Sequence, residues 1–494
     1  VASTPAHPEG NNPAEKSNPA AKKMTGETII NLGVLVLAAM VMILNETSLS
    51  VALPAIMAEF GIPATSAQWL ITGFLLTMAV VIPTTGYILE RFTSRQVFLS
   101  AVVLFITGTV VAAISPSFII LLLGRIIQAA GTALVIPLLM TMTMVLVPAQ
   151  RRGSVMGIIS VAISVAPALG PTVGGFILNT FTWHFIFWVM VPLVALIGIA
   201  GLIKLRNVGE NRETPLDFLS VVLSVLAFGG LVFGLSSIET ILAGDGMLQI
   251  IISVVGAVSL VIFVKRQQSL AKAGRALLDL RPFKIRNYTM AVAGLLVSFG
   301  LLLGAATVLP IYLQTSLGVT ALTAGLVVMP GGLMQGLISP FIGRAYDAVG
   351  PRPLLIPGVL LMTAAVWCLS LLDENSAVWM VIALHICFAV GVGLLMTPLM
   401  TTALSSLPGN LYGHGSAILN TLQQLAGATG TAFLVVFLTR GTATGAANGL
   451  DEAAATAQGA SWAFMFAGCL ALVACILAPM VKRVETDSTA REVE

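Results

Sequence analysis

Residues 32–60 read LGVLVLAAMVMILNETSLSVALPAIMAEF. A helix of about 20 apolar residues, rising 1.5 Å each, crosses the ~30 Å hydrocarbon core of a bilayer. This stretch is long enough, yet it carries Glu46 near its middle, inside Leu44-Asn45-Glu46-Thr47. A second apolar run, 117–147, holds Arg125 inside Leu123-Gly124-Arg125-Ile126-Ile127-Gln128. A charge at bilayer depth costs roughly 2.5–3.5 kcal/mol on insertion scales, so it is kept mainly where it is paired or does work. A buried acid and a buried base point first to a proton or cation relay.

The rest of the chain is built the same way. Only 9% of its 494 residues are charged and 57% are hydrophobic, against about 25% charged in a soluble chain; the mean hydropathy is +0.99. Hydropathy predicts fourteen spans, at approximately 28–57, 67–88, 96–115, 118–147, 153–178, 184–204, 216–236, 247–265, 287–314, 321–344, 353–372, 376–404, 413–438 and 459–481. With the N-terminus inside, the short loops on one side collect the Lys and Arg residues, among them Lys22, Lys23, Arg91, Arg95, Arg151, Arg152, Lys265, Arg266, Arg344, Arg352, Lys482 and Arg483. The other side has Arg440 alone, with the acids Glu59, Glu239, Asp245, Asp373, Glu374, Asp451 and Glu452. This bias predicts an even number of spans and cytoplasmic termini. It also accounts for the formal charge of +3 without a nucleic-acid surface, so no nucleic-acid partner is expected.

Other classes find little support. Cys368, Cys387, Cys469 and Cys475 lie in or beside apolar segments, form no CxxC or Cys/His cluster, and are expected to be buried free thiols; no metal and no cofactor is expected. No Walker loop is present, which argues against ATP use. A multi-span membrane enzyme would need metal- or phosphate-binding acids at the membrane surface, and none is evident. Residues 1–27 are expected to be a disordered cytoplasmic tail, with a second tail at 482–494.

An internal echo organises the spans. Gly86-Tyr87-Ile88-Leu89-Glu90-Arg91 follows the second, and Gly343-Arg344-Ala345-Tyr346-Asp347 with Arg352 follows the tenth. Both read Gly, three residues, an acid, then basic residues. If the seventh and eighth spans are an insertion, both motifs fall between helices two and three of a six-helix half. The expected division is therefore 28–204 and 287–481 as six-helix bundles, with 205–286 as an inserted transmembrane hairpin and cytoplasmic linker.

Further stretches carry a family resemblance: Val51-Ala52-Leu53-Pro54 after Glu46, Gln68-Trp69-Leu70, Gly86 with Glu90, Arg91 and Arg95, Gly124-Arg125 through Gly131, Gly157 with Ala166 and Gly170-Pro171-Thr172-Val173-Gly174-Gly175, and Trp183-His184-Phe185. In this order the chain resembles the major facilitator superfamily, and within it the fourteen-span drug:proton antiporters, over residues 28–481. The resemblance implies an all-α integral membrane fold of two six-helix bundles plus an inserted two-helix hairpin. It implies a gating role for Gly86, Glu90, Arg91 and Arg95 and for their echo Gly343, Asp347 and Arg352. Glu90 stands where Asp is usual and Thr93 where a second Gly is usual.

Gly157, Gly170, Pro171, Gly174 and Gly175 resemble the family's antiporter motif, with Ala166 in place of a usual glycine. Arg125 resembles its fourth-span arginine, proposed to influence the proton site. Glu46 stands one residue after the acid's usual place, which Asn45 occupies. That shift turns the carboxylate by about 100° on a helix and leaves open whether it faces the substrate or the neighbouring helices. The plain alternative is a structural carboxylate paired with Arg125. The second half has no equivalent acid; His385 is the titratable side chain deep in it.

For the substrate cavity the candidates are Asn45, Trp69, Gln128, Tyr312, Gln314, Asn420 and Gln423, with Phe74, Met78, Phe299 and Met396 as apolar walls. The implied function is proton-coupled export of lipophilic, cationic drugs or antibiotics by a bacterial plasma-membrane protein, expected to be a monomer whose partners are a small molecule, protons and lipid. A dedicated exporter of an amine, amino acid, signalling nucleotide or lipid is the alternative; a membrane enzyme or a transport-dead sensor is more remote.

Overall fold

The structure, a computed structural model, describes residues 25–207, 217–242, 244 and 246–484. Most of both expected tails, together with Asp245, lies outside them. Fourteen helices are long and apolar enough to span a membrane: α1 Gly26–Phe60, α2 Trp69–Arg91, α3 Ser94–Ala113, α4 Phe118–Leu146, α5 Ala149–Thr180, α6 His184–Lys204, α7 Phe218–Ser236, α8 Met247–Lys272, α9 Arg286–Ser316, α10 Leu322–Val349, α11 Arg352–Leu369, α12 Val378–Ser405, α13 Gly409–Ala447 and α14 Glu452–Met480. The protein is a multi-pass membrane protein, and no strand occurs among the described residues. Several helices outrun the apolar stretch that announced them. α8 continues through Lys265–Lys272 and α13 to Ala447, because hydropathy marks what sits in lipid, whereas the helix persists into the polar interface.

Local chemistry sets the helix ends. Thr25 accepts the amide of Thr28 at the start of α1, and Thr93 and Gln96 form a reciprocal capping box at α3. Asp451 accepts the amide of Ala454 at α14. The α1 chain is turned out of its helix by Gly61, at φ 61°, a left-handed conformation that favours glycine.

The helix contacts repeat. In the first half α1 packs on α4, α5 and α6, α3 on α4 and α6, and α2 on α4. In the second, α9 packs on α12, α13 and α14, α11 on α12 and α14, and α10 on α12. Each pair maps on the other by adding eight to the helix number, which is the signature of two six-helix bundles with α7 and α8 inserted. The halves meet at two related seams, α5 against α10 and α2 against α13.

Small residues make these contacts possible, since helices in lipid associate by close packing. A Cβ on Gly124 would lie 2.8 Å from the Ala112 amide of α3, and one on Gly430 of α13 would lie 2.1 Å from the Gly300 carbonyl of α9. The cysteines differ from expectation. All four are free, but Cys368, Cys387 and Cys469 are exposed and Cys475 is half-buried. A surface that faces lipid has no need to bury a small apolar thiol.

Candidate functional site

Arg125 is fully buried on α4, and its hydrogen-bond partners are neutral. One terminal nitrogen donates to Gln128 Oε1 at 2.6 Å and to Asn45 Oδ1 at 3.3 Å. Gln128 in turn donates to Thr109 Oγ1 of α3 at 2.8 Å. The guanidinium lies over the Phe74 ring of α2, 4.2 Å from its centroid, a favourable cation–π position. α1, α2, α3 and α4 therefore converge on one cation. Glu46 does not complete the set: it is absent from the ion pairs formed among the described residues. Arg125 Nε and Asn45 Nδ2 have no protein hydrogen-bond partner.

The one-residue offset explains this. Asn45, fully buried, takes the face of α1 that meets α4. Glu46, about 100° further round, falls on a stripe whose burial changes along its length. Below it, Leu35, Ala39, Met42 and Ile43 are buried; Glu46, Leu53 and Met57 are half-buried, and Ser50 is exposed. Glu46 thus sits where this face of α1 passes from closed to open. On α1 it is Asn45, not Glu46, that accepts a hydrogen bond from Arg125.

The antiporter-like glycines sit against the same helix. A Cβ on Gly170 would lie 2.0 Å from Thr47 Oγ1, and one on Gly174 would lie 2.6 Å from the Ser48 carbonyl. Both glycines hold α5 against α1 directly beyond Glu46. Gly175 faces open space and Pro171 is exposed. Gly157 belongs to a different contact, against Ser339 and Pro340 of α10.

The two gating-like motifs lie at the seams, on the face that carries the basic loops. Asp347 of α10 accepts the amides of Gly153 and Ser154, both at 2.8 Å, and the Ser154 hydroxyl at 2.5 Å. It caps the first turn of a helix in the other half, where free amides and the helix dipole favour an anion. Glu90 of α2 does the related thing at the other seam: its Oε1 is 3.1 Å from His414 Nε2 on α13, and a Cβ on Gly86 would meet the same ring. Arg152 of α5 reaches Tyr412 Oη at 3.1 Å, and Thr141 bonds Ser416 at 2.9 Å. Along α5 and α10 the close contacts run from Gly153–Gly343 to Ala168–Gly332, while Gly175 and Gly325 meet nothing within 4 Å. The halves are closed at the basic face and separate beyond mid-span.

Arg95 and Arg352 bond within their own halves. Arg95 donates to the Leu202 carbonyl, Arg352 to the Val481 carbonyl at 3.0 Å, and Arg91 is half-buried. Trp69 stacks on Phe233 of α7 at 5.9 Å. Tyr312, 1% exposed, donates to the Asp373 carbonyl at 2.6 Å, and Asn420 to the Ser416 carbonyl at 2.8 Å. Gln314 is exposed and Gln423 half-buried. His385 is buried with Nδ1 unpartnered.

Sequence reasoning missed His414, although a signal existed. Pro148-Ala149-Gln150-Arg151-Arg152-Gly153-Ser154 and Pro408-Gly409-Asn410-Leu411-Tyr412-Gly413-His414 share Pro, a side-chain amide and Gly at equal spacing. That repeat aligns Ser154, the partner of Asp347, with His414, the partner of Glu90. Gln128→Leu removes a hydrogen bond to a charged group and is expected to cost about 1.5–3 kcal/mol, read as a lower thermal unfolding midpoint in detergent. An unchanged midpoint would mean that Gln128 is not holding the guanidinium.

Comparison with known proteins agrees with this fold. The family model described as Major Facilitator Superfamily matches residues 35–431. The lincomycin resistance protein LmrB of Bacillus subtilis is 38% identical over 460 residues, covering 92% of this chain and 95% of that protein. LmrB of Listeria monocytogenes is 39% identical over 398 residues, covering 80% of this chain and 83% of that protein. Among solved structures, the proton:xylose symporter XylE superposes with a TM-score of 0.65 at 16% identity, over 93% of this chain and 97% of that one, a likeness of fold alone.

Proposed function

The chain belongs to the major facilitator superfamily, and we propose that it is a proton-driven exporter of lipophilic, cationic drugs or antibiotics, working by alternating access in a bacterial cytoplasmic membrane. One observation carries the reading: the membrane carboxylate, Glu46, sits at the changeover from closed to open on α1, while Asn45 holds Arg125 in its place. A carboxylate so placed is exposed to whatever enters the open side. It binds either a proton or the positive charge of a substrate, and that exclusivity is the minimum an antiporter needs. Arg125, buried with Nε unpartnered, is the fixed cation beside this carboxylate.

The positive-inside bias favours a cytoplasmic basic face with both termini on that side. On that orientation the seams closed by Asp347–Ser154 and Glu90–His414 form the inner gate, and the conformation is outward-facing. Gly170 and Gly174 keep α1 and α5 together as the halves rock. We place Gln314 and Gln423 among the polar anchors of the cavity, because neither is buried. The resistance named for both LmrB relatives makes lincomycin, an amine, the first substrate to test.

The test is accumulation of labelled lincomycin, and of ethidium, in cells expressing the protein, with and without an uncoupler. Lower accumulation of either compound, restored by the uncoupler, is expected. Wild-type protein present in the membrane with neither compound exported would turn the reading towards a dedicated metabolite exporter.

A further inference from the structure

The six-helix halves and both seams are complete without α7 and α8, yet the inserted hairpin has a definite seat. α7 packs on α2 and α13, the two helices of one seam. Gly229 lies against Leu76 and Val80 of α2, and Phe233 stacks on Trp69. α8 is fastened behind it, where Gly230 and Gly256 bring the two backbones together.

The polar end of the hairpin is tied just as closely. Asp217, in the chain leading into α7, takes two hydrogen bonds from Arg266 of α8, at 2.7 and 2.8 Å. With Ser220 also donating, the Arg266 guanidinium holds the Asp217 carboxyl down at about 2, well below the usual carboxylate range. Gln267, fully buried, donates to Ser220 Oγ at 2.6 Å and accepts the amide of Leu278 at 3.1 Å. The next amide, of Asp279, donates to Nδ1 of His414 at 3.3 Å. With Nδ1 accepting, the proton of a neutral ring lies on Nε2, facing Glu90 at 3.1 Å.

The segment between hairpin and second half is therefore no loose connector. Leu277, Leu278 and Asp279 are at most 3% exposed. An unbroken line of hydrogen bonds runs from the hairpin through this segment to α13 and α2.

We propose that the hairpin and the buried segment 276–279 form a strap that holds the α2/α13 seam shut at the basic face, with Gln267 and His414 as its two fastenings. The proposal rests on the alternating-access reading above. The hairpin then sets how often the basic face opens, and it covers one seam because the other, α5/α10, is already sealed by backbone contacts.

Pulsed-EPR distances between spin labels at Phe92 and Asn410, both exposed, test this in full-length protein with the four native cysteines replaced. Gln267→Leu and His414→Ala are each expected to enlarge the long-distance population about fivefold, the equivalent of one net hydrogen bond. The double variant should do no more than the larger single change, because either cut severs the same line. Ser220→Ala, a milder cut, should move the distribution the same way should Gln267→Leu fail to fold. A distribution unmoved by cuts on the hairpin side while His414→Ala shifts it would overturn the strap and leave a local gate. So would effects of Gln267→Leu and His414→Ala that multiply. A single distance in wild type, unmoved by substrate or pH, would overturn alternating access as well as the strap, which separates the two failures.

Discussion

Glu46→Gln leaves the protein folded and abundant and brings gradient-driven export down to the level of cells lacking the protein. The expectation follows from how little the carboxylate does for the fold. It is outside every ion pair among the described residues, and Arg125 is held by Gln128, Asn45 and Phe74. Glutamine keeps the size of the side chain and removes only its ability to exchange a proton for a cation. Arg125→Met is expected to behave differently, because it empties a position on which four helices converge. It should lose abundance as well as transport. Membrane protein level and uncoupler-sensitive efflux, measured on the same cells, separate the two. Normal efflux from Glu46→Gln would remove the acid from the mechanism.

Gly343→Val, at the opposite end of the machinery, is expected to prop the basic face open. A Cβ at Gly343 lies 2.1 Å from the Gly153 carbonyl, and a backbone atom cannot move aside as the tip of a side chain can. Overpacking of this kind costs about 1–3 kcal/mol, so the closed population should fall roughly 5- to 160-fold relative to the open one. A cysteine placed at Ser154, which Asp347 covers in the closed seam, should then react faster with a thiol reagent applied from the basic side, while transport fails. Gly175→Ala is the control, since its Cβ meets nothing within 4 Å and transport should persist. Equal labelling at Ser154 in Gly343→Val and wild type would mean that this seam does not gate.

Much of the architecture was legible in one dimension because lipid imposes it there. Apolar length gave the fourteen spans, and the paired Gly-and-acid turns gave the two halves. Those turns also pointed to Glu90 and Asp347, though not to what they touch. Their partners, His414 and Ser154, lie across a seam, and only the weaker Pro148/Pro408 repeat hinted at the equivalence. Asn45 occupies the place where the family's acid is usual; the structure makes it a hydrogen-bond partner of Arg125, a consequence of which neighbour each face of α1 meets. Tyr312 looked like a cavity residue by segment position, yet its hydroxyl ties α9 to the loop before α12. Hydropathy cannot separate an apolar side chain facing lipid from one facing a helix, so the exposed cysteines were equally out of reach. The hairpin was recognisable as an insertion, but its seat on α2 and α13 depends on long-range packing that its own sequence does not encode.

Exchange of protons for substrate at Glu46 is tested most directly by proton movement during transport. Purified protein in liposomes containing a pH-sensitive dye, with no initial pH gradient, would be given an outward or inward gradient of an exported compound. Substrate movement is expected to drive protons the opposite way in wild type, and Glu46→Gln to show none. Substrate crossing at the wild-type rate with no change in internal pH would contradict this exchange.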